Sequence, residues 1–285
     1  MGGEAEERIM QQHTVVGGGG LVLRALESGD PQGVPVLFLH GWSQRAASWE
    51  RQLASPALAH LRLVALDLRG HGESEKPASG YDDGALWAAD VAATLDALDL
   101  HGAMLTGWSY GGYVIADYLR HRGQDAVGAI HFVSAGTGIG IETPYRFRGN
   151  AWNGVLPAAF SDDAGEAAAA MRTFERNCFA ARRDADERAM HANGAATPGA
   201  VRKALFRRRI DNDDVMASIR LPTLVTHGDA DRVIDIETGR HIAAIVPGAR
   251  LSVYAGIGHV PFWEDQPRFD AELAAFAAGL AGRSA

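Results

Sequence analysis

The chain of 285 residues has one cysteine, Cys178, so no disulfide can form within it and the fold must rest on packing alone. Such usage fits a reducing compartment, and Cys178 itself reads as a small apolar filler. Positive charge is in deficit. With 27 Lys and Arg against 35 Asp and Glu, the formal net charge of −8 repels a phosphate backbone. Outside residues 136–220 no basic stripe interleaved with aromatics offsets this, so no nucleic acid partner is expected. No apolar run reaches the length needed to cross a bilayer. Residues 1–14 carry Glu4, Glu6 and Glu7 without an apolar core, which argues against a secretory leader or a membrane anchor. Glu6 also stands where an N-myristoylation motif beginning at Gly2 needs Ser or Thr. Neither H-E-x-x-H nor paired cysteines occur, so no metal is expected. The glycines at 17–20 lack the strand-loop-helix context of a phosphate loop, and no cofactor is implied. What these exclusions leave is a cytoplasmic globular protein.

With 47% apolar and 22% charged residues, the composition supports a large buried core. β-prone pieces at 14–16 and 21–26 flank the four glycines as an N-terminal hairpin. The continuous apolar run at 34–39 and the mainly apolar segments at 61–66, 103–106 and 127–133 read as buried parallel strands. Between them, Trp87, Val91, Leu95 and Leu98 recur at helical spacing, predicting an amphipathic helix over 83–98. A second helix is expected over 113–119. Strand and helix alternate, which specifies an α/β fold with a doubly wound, mostly parallel sheet and ligands at the carboxyl ends of its strands. His40, Asp67, Ser109 and Ser134 all fall at such ends.

From 136 to 220 the alternation stops and aromatics are scattered among arginines, as expected of a helical cap insertion. The predicted organisation is therefore a core in two parts, 1–135 and 221–285, with the cap at 136–220 between them. Gly136, Gly138 and Gly140 read as a hinge into the insertion. Arg207, Arg208 and Arg209 read as a solvated helix face. The strand pattern resumes at 222–226 and 250–254, and Phe269, Leu273, Phe276 and Leu280 mark a last amphipathic helix.

One stretch organises the rest. Gly107-Trp108-Ser109-Tyr110-Gly111 has the form G-x-S-x-G between an apolar strand and a helix. At such a turn the glycines make room for a tight backbone that pushes the hydroxyl outward. The helix start aims free N–H groups and the positive dipole end at the same point, favouring an oxyanion there. Serine is a weak nucleophile and needs a base, and the base needs an acceptor that fixes its tautomer. Of the eleven histidines, His259 is preferred because it follows the last strand, and Asp231 follows the strand before it. The order Ser109, Asp231, His259 then matches a nucleophile, an orienting acid and a general base.

His40-Gly41-Trp42, residues 67–74, residues 107–112, residues 227–231 and Gly258-His259, in that order and each at a strand end, resemble the α/β-hydrolase superfamily. Within it the chain is similar to the serine-nucleophile branch of esterases and non-haem haloperoxidase-like enzymes. That resemblance implies oxyanion donors from the backbone N–H groups of Trp42 and Tyr110, and structural roles for His40 and residues 67–74. It also implies that the Trp42 side chain lines an acyl pocket. The family pattern H-G-x-x-D, met by His227, Gly228 and Asp231, favours Asp231 over Asp229 as the acid. Phe147, Trp152, Phe160, Phe174 and Phe179 form either a pocket wall or the insertion's own core; Trp152, Phe174 and Phe179 are the candidates for touching an apolar acyl group. The resemblance implies hydrolysis of a carboxylic ester or lactone through an acyl-enzyme. Perhydrolase or haloperoxidase-like chemistry, amide cleavage, carbon-carbon bond hydrolysis and a non-catalytic ligand-binding role are the alternatives.

Overall fold

Strands buried on both faces are built mainly from apolar side chains, and the runs at 34–39, 61–66, 103–106 and 127–133 meet that demand except at Arg62, Thr106 and His131. A computed structural model describes residues 10–139 and 148–281. Residues 1–9, Gly140, Ile141 and Phe147, which bear on the expectations about the N-terminus, the hinge and the pocket wall, lie outside the described residues. In chain order the described strands are β1 (Gln11–Val16), β2 (Val22–Gly29), β3 (Pro35–Leu39), β4 (Arg62–Asp67), β5 (Ala103–Trp108) and β6 (Val127–Val133). They continue as β7 (Gly138–Ile139), β8 (Ile210–Asp211), β9 (Thr223–Gly228) and β10 (Arg250–Tyr254). Eight of them form one sheet in the order β1-β2-β4-β3-β5-β6-β9-β10. β2 runs antiparallel to β1 and β4, and the remaining neighbours are parallel.

Alternation along the strands sends neighbouring side chains to opposite faces. Phe38, Thr106 and His131 are in register and share one face, where Phe38 stacks on Trp49 at 4.7 Å and His131 on Phe269 at 5.5 Å. Trp49 in turn stacks on Phe262 at 4.2 Å, and Phe269 ties the helix Gln266–Ala281 to this side. Leu39 and Gly107 share the other face, against the helix Tyr110–Arg122. The helix Gly84–Ala97 packs beside it, started by Asp83, whose carboxylate accepts the Ala85 N–H at 2.9 Å. The sheet is thus covered on both faces, and a ligand can be reached only at strand ends and their loops.

Between β6 and β9 the described residues form helices Ala164–Asn177, Asp184–Gly194, Gly199–Phe206 and Asp213–Ser218. Two corrections to the sequence reading lie here. Gly138 and Ile139 are not part of an open hinge: they pair with Asp211 and Ile210 as the two-stranded sheet β7-β8. The arginine run is not a helix face. Arg207 and Arg209 are exposed, but Arg208 is buried and paired through two bonds, 2.7 and 2.9 Å, with Asp117.

Candidate active site

Ser109 sits between β5 and its helix with φ 54° and ψ −111°, a backbone conformation that costs a non-glycine residue on the order of 1–3 kcal/mol and is tolerated where the surroundings over-determine it. The surroundings do so here. A Cβ on Gly107 would lie 2.6 Å from the Gly111 carbonyl oxygen, and one on Gly111 would lie 2.4 Å from that of Leu39. The turn therefore closes only with glycine at both positions. Ser109 donates its own N–H to Val133 at 2.9 Å, and its side chain faces a pocket.

Asp231 follows β9 and His259 follows β10. His259 Nδ1 lies 2.7 Å from Asp231 Oδ2, and both side chains are buried. The other carboxylate oxygen, Oδ1, accepts the backbone N–H groups of Val233 at 2.8 Å and Ile234 at 3.0 Å. His227 Nε2 stands 3.3 Å from Oδ2 on a further side. Burial alone would raise the Asp231 carboxyl, but the charge of His259 and the hydrogen bonds from His227 and His259 outweigh it and hold the group well below the ordinary carboxylate range. Asp229 has a different place. It is exposed and accepts the Gly256 N–H at 2.6 Å, tying the β9 loop to the β10 loop.

His259 is anchored through its backbone from two directions. Its N–H donates to the Cys178 carbonyl at 2.7 Å, and its carbonyl accepts the indole N–H of Trp108, the neighbour of Ser109, at 2.9 Å. The described residues show no hydrogen bond from the Ser109 hydroxyl to His259. In unliganded sites that bond is often long and tightens when substrate binds. Among the described residues no acceptor takes the backbone N–H of Trp42 or Tyr110, the two expected oxyanion donors. His40 and residues 67–74 are scaffolding. Burial pulls His40 down to about 4, and its neutral Nε2 accepts the Leu68 N–H at 3.1 Å. Asp67 accepts the N–H groups of Ala46 at 2.6 Å and Glu73 at 2.7 Å.

The pocket over Ser109 holds about 830 Å³ of empty space, part of it open to solvent. Trp42, Tyr110, Tyr113, Trp152, Phe206 and Ile139 supply most of its apolar wall. Of the three aromatics expected to touch an acyl group, Trp152 lines the pocket. Phe174 stands behind it, 4.4 Å from the Trp152 ring and 5.3 Å from that of Trp42. Phe179 lies away from the wall, fully buried with its ring facing Trp263, because its neighbour Cys178 is engaged with the His259 loop. Burial pushes the Cys178 thiol well above its ordinary value, which leaves it a filler whose carbonyl does the work. Tyr113, Phe206 and residues 136–139 escaped the sequence reading as wall. Only Tyr113 carried a signal, being one helical turn from Ser109 on the side that faces the strand ends.

A family model described as the alpha/beta hydrolase fold matches residues 34–266. The structure resembles that of an esterase from Rhodococcus sp. ECU1013, with a TM-score of 0.90, 37% identity and coverage of 95% of this chain and 100% of that one. A non-heme chloroperoxidase of Kitasatospora aureofaciens is 32% identical over 86% of this chain and 92% of its own. A bifunctional esterase/perhydrolase of Acinetobacter calcoaceticus is 28% identical over 80% of this chain and 86% of its own. The chain belongs to the α/β-hydrolase fold family, as an enzyme similar to its esterase- and haloperoxidase-like members.

Proposed function

We propose that the chain is a serine hydrolase that cleaves a carboxylic ester or lactone of a small substrate with an apolar acyl group. The observation that carries this reading is the Asp231–His259 pair, closed at 2.7 Å and buried, with the His259 backbone bonded to Trp108, the neighbour of a serine held at φ 54° at the head of a helix. Ser109 Oγ attacks the carbonyl while His259 Nε2 takes its proton, and the negative oxygen is held by the N–H groups of Trp42 and Tyr110. Each such donor contributes on the order of 3 kcal/mol to the transition state. Collapse expels the alcohol, which receives the proton from His259. The imidazole then draws a proton from water, whose attack releases the acid and restores Ser109. Asp231 fixes the tautomer throughout and stabilises the imidazolium. In this reading residues 136–220 are the cap, and Trp152 and Phe206 are its contribution to the acyl pocket.

A second reading shares every step up to the acyl-enzyme. The names of two relatives, a chloroperoxidase and an esterase/perhydrolase, favour testing hydrogen peroxide in place of water as the second nucleophile, with a peracid as product. The primary experiment combines fluorophosphonate labelling with a series of p-nitrophenyl esters and lactones. Labelling at Ser109 together with ester turnover is expected. Ser109→Ala is expected to abolish labelling and lower turnover by roughly 10⁴-fold or more, and near-normal activity in that variant would refute the nucleophile.

A further inference from the structure

A short stretch of the insertion, residues 202–208, reaches both sides of the pocket through two buried arginines. On one side Arg202 donates from Nε to Ser43 Oγ at 3.0 Å and from Nη2 to the Gly194 carbonyl at 3.4 Å, while its own carbonyl accepts the Trp42 indole N–H at 3.2 Å. Ser43 is fully buried at φ 58°, a left-handed conformation that a serine keeps only when its neighbours hold it. The contact is tight. A Cβ on Gly194 would lie 2.8 Å from the Ser43 carbonyl oxygen, and the next residue of the loop, Gln44, donates to the Met190 carbonyl at 3.3 Å. On the other side Arg208 Nη1 donates to the Tyr110 hydroxyl at 3.2 Å while Nη2 holds Asp117, two turns further along the same helix. Phe206, between the two arginines, packs its ring 5.2 Å from Trp42 and lines the pocket.

We propose that Arg202 and Arg208 are positioning residues that set the two oxyanion donors, Arg202 holding the Trp42 side through Ser43 and Arg208 holding the Tyr110 side through its hydroxyl. This rests on the assignment of the Trp42 and Tyr110 N–H groups made above and deepens it. Both donors are main-chain groups, so their direction is set by the conformation of the loop 41–44 and of the first helical turn after Ser109. The arginines act on those two pieces of backbone from the insertion. The same seven residues also place Phe206 against the substrate. A substrate that fits against Phe206 therefore meets both donors in place, and one that displaces these seven residues loses the donors along with that contact. Substrate choice is written in kcat as well as in KM.

The test is a set of variants assayed on one p-nitrophenyl ester, with binding of an alkyl boronic acid measured as a mimic of the tetrahedral state. Arg202→Met and Ser43→Ala are each expected to lower kcat by about 10- to 100-fold, the scale of a misaligned catalytic group, with KM within about threefold. Boronate affinity should fall in step with kcat. The double variant should be no worse than about twofold beyond the poorer single one, because both remove the same link. Arg208→Lys, which keeps a cation for Asp117, and Tyr110→Phe are expected to show the same kcat-dominated loss as each other. Should the arginine variants fail to fold, Ser43→Ala and Tyr110→Phe, each lacking one hydroxyl, carry the test alone. Loss confined to KM, multiplying effects in the double variant, or boronate affinity that stays constant would overturn the inference. Ser109→Ala separates the two levels. If it is inactive while the Arg202 and Arg208 variants keep full kcat, positioning by the insertion is wrong and the serine mechanism stands. If Ser109→Ala remains active, the mechanism itself falls.

Discussion

Replacing Asp231 by asparagine tests its proposed role as the orienting acid at the level of single atoms. Oδ1 already accepts two backbone N–H groups, from Val233 at 2.8 Å and Ile234 at 3.0 Å, and only an amide oxygen can keep those bonds. The amide nitrogen must then occupy the Oδ2 position, 2.7 Å from His259 Nδ1, where two donors would face each other. The imidazole relieves this by moving its proton to Nε2, leaving Nδ1 to accept from the amide. A protonated Nε2 cannot take the Ser109 proton. Losing the proposed base in this way is expected to lower turnover by up to about 10⁴-fold, equivalent to roughly 5 kcal/mol of transition-state stabilisation. The fold should survive, since the bonds that hold the loop are retained. Asp229→Asn is the matched control: its exposed side chain needs only an oxygen to accept the Gly256 N–H at 2.6 Å, and less than about a threefold loss is expected. Hydrolysis of p-nitrophenyl esters by the two purified variants, alongside their thermal melts, decides the matter. Greater damage in Asp229→Asn than in Asp231→Asn, with both folded, would refute the argument.

The apolar wall predicts that Trp152→Ala and Phe206→Ala each shift the preferred acyl length of p-nitrophenyl esters toward longer chains. Phe179→Ala should leave that ranking unchanged and lower the melting midpoint, as deletion of a fully buried ring typically costs about 3–5 kcal/mol. Glu175 predicts a pH dependence of stability. Burial raises its carboxyl from 4.5 to about 8 despite Arg202 and Arg172, and it lies 2.7 Å from His191 Nδ1. The folded chain thus holds a proton that the unfolded chain has released. Stability from this group is fully present below the unfolded value of 4.5 and is lost as pH rises through about 8. Melts of Glu175→Gln should consequently gain on the parent chain between those values, and an unchanged difference across that range would count against a buried protonated Glu175.

The sheet and the placing of Ser109, Asp231 and His259 at strand ends were legible because the signals are local. A run such as 34–39 is apolar at every position, G-x-S-x-G needs only its own glycines to form the elbow, and the pattern from His227 to Asp231 spans one loop. The choice of Asp231 over Asp229 rested on that pattern, and the geometry at His259 is consistent with it. Other assignments depended on what a residue meets across the fold. The glycines at 136 and 138 looked like a hinge, because glycine has the same composition whether it loosens a chain or lets it pass close to another. A Cβ at Gly136 would lie 2.2 Å from the Tyr113 hydroxyl, a neighbour far away in sequence. Arg208 looked like one of three solvated arginines until Asp117, on a helix 91 positions earlier, was brought to it.

Sequence alone determined the eight-stranded core, the elbow at Ser109 and the places of Asp231 and His259 at strand ends, because hydrophobic periodicity and turn chemistry act over a few residues and do not wait for distant partners. Tertiary structure decided which aromatics face the pocket, which arginine is buried, and that Cys178 and Trp108 hold the His259 backbone. All but the Trp108 bond depend on how the insertion docks on the sheet. Docking is settled by the fit of many side chains at once, and no window of neighbouring residues contains that information.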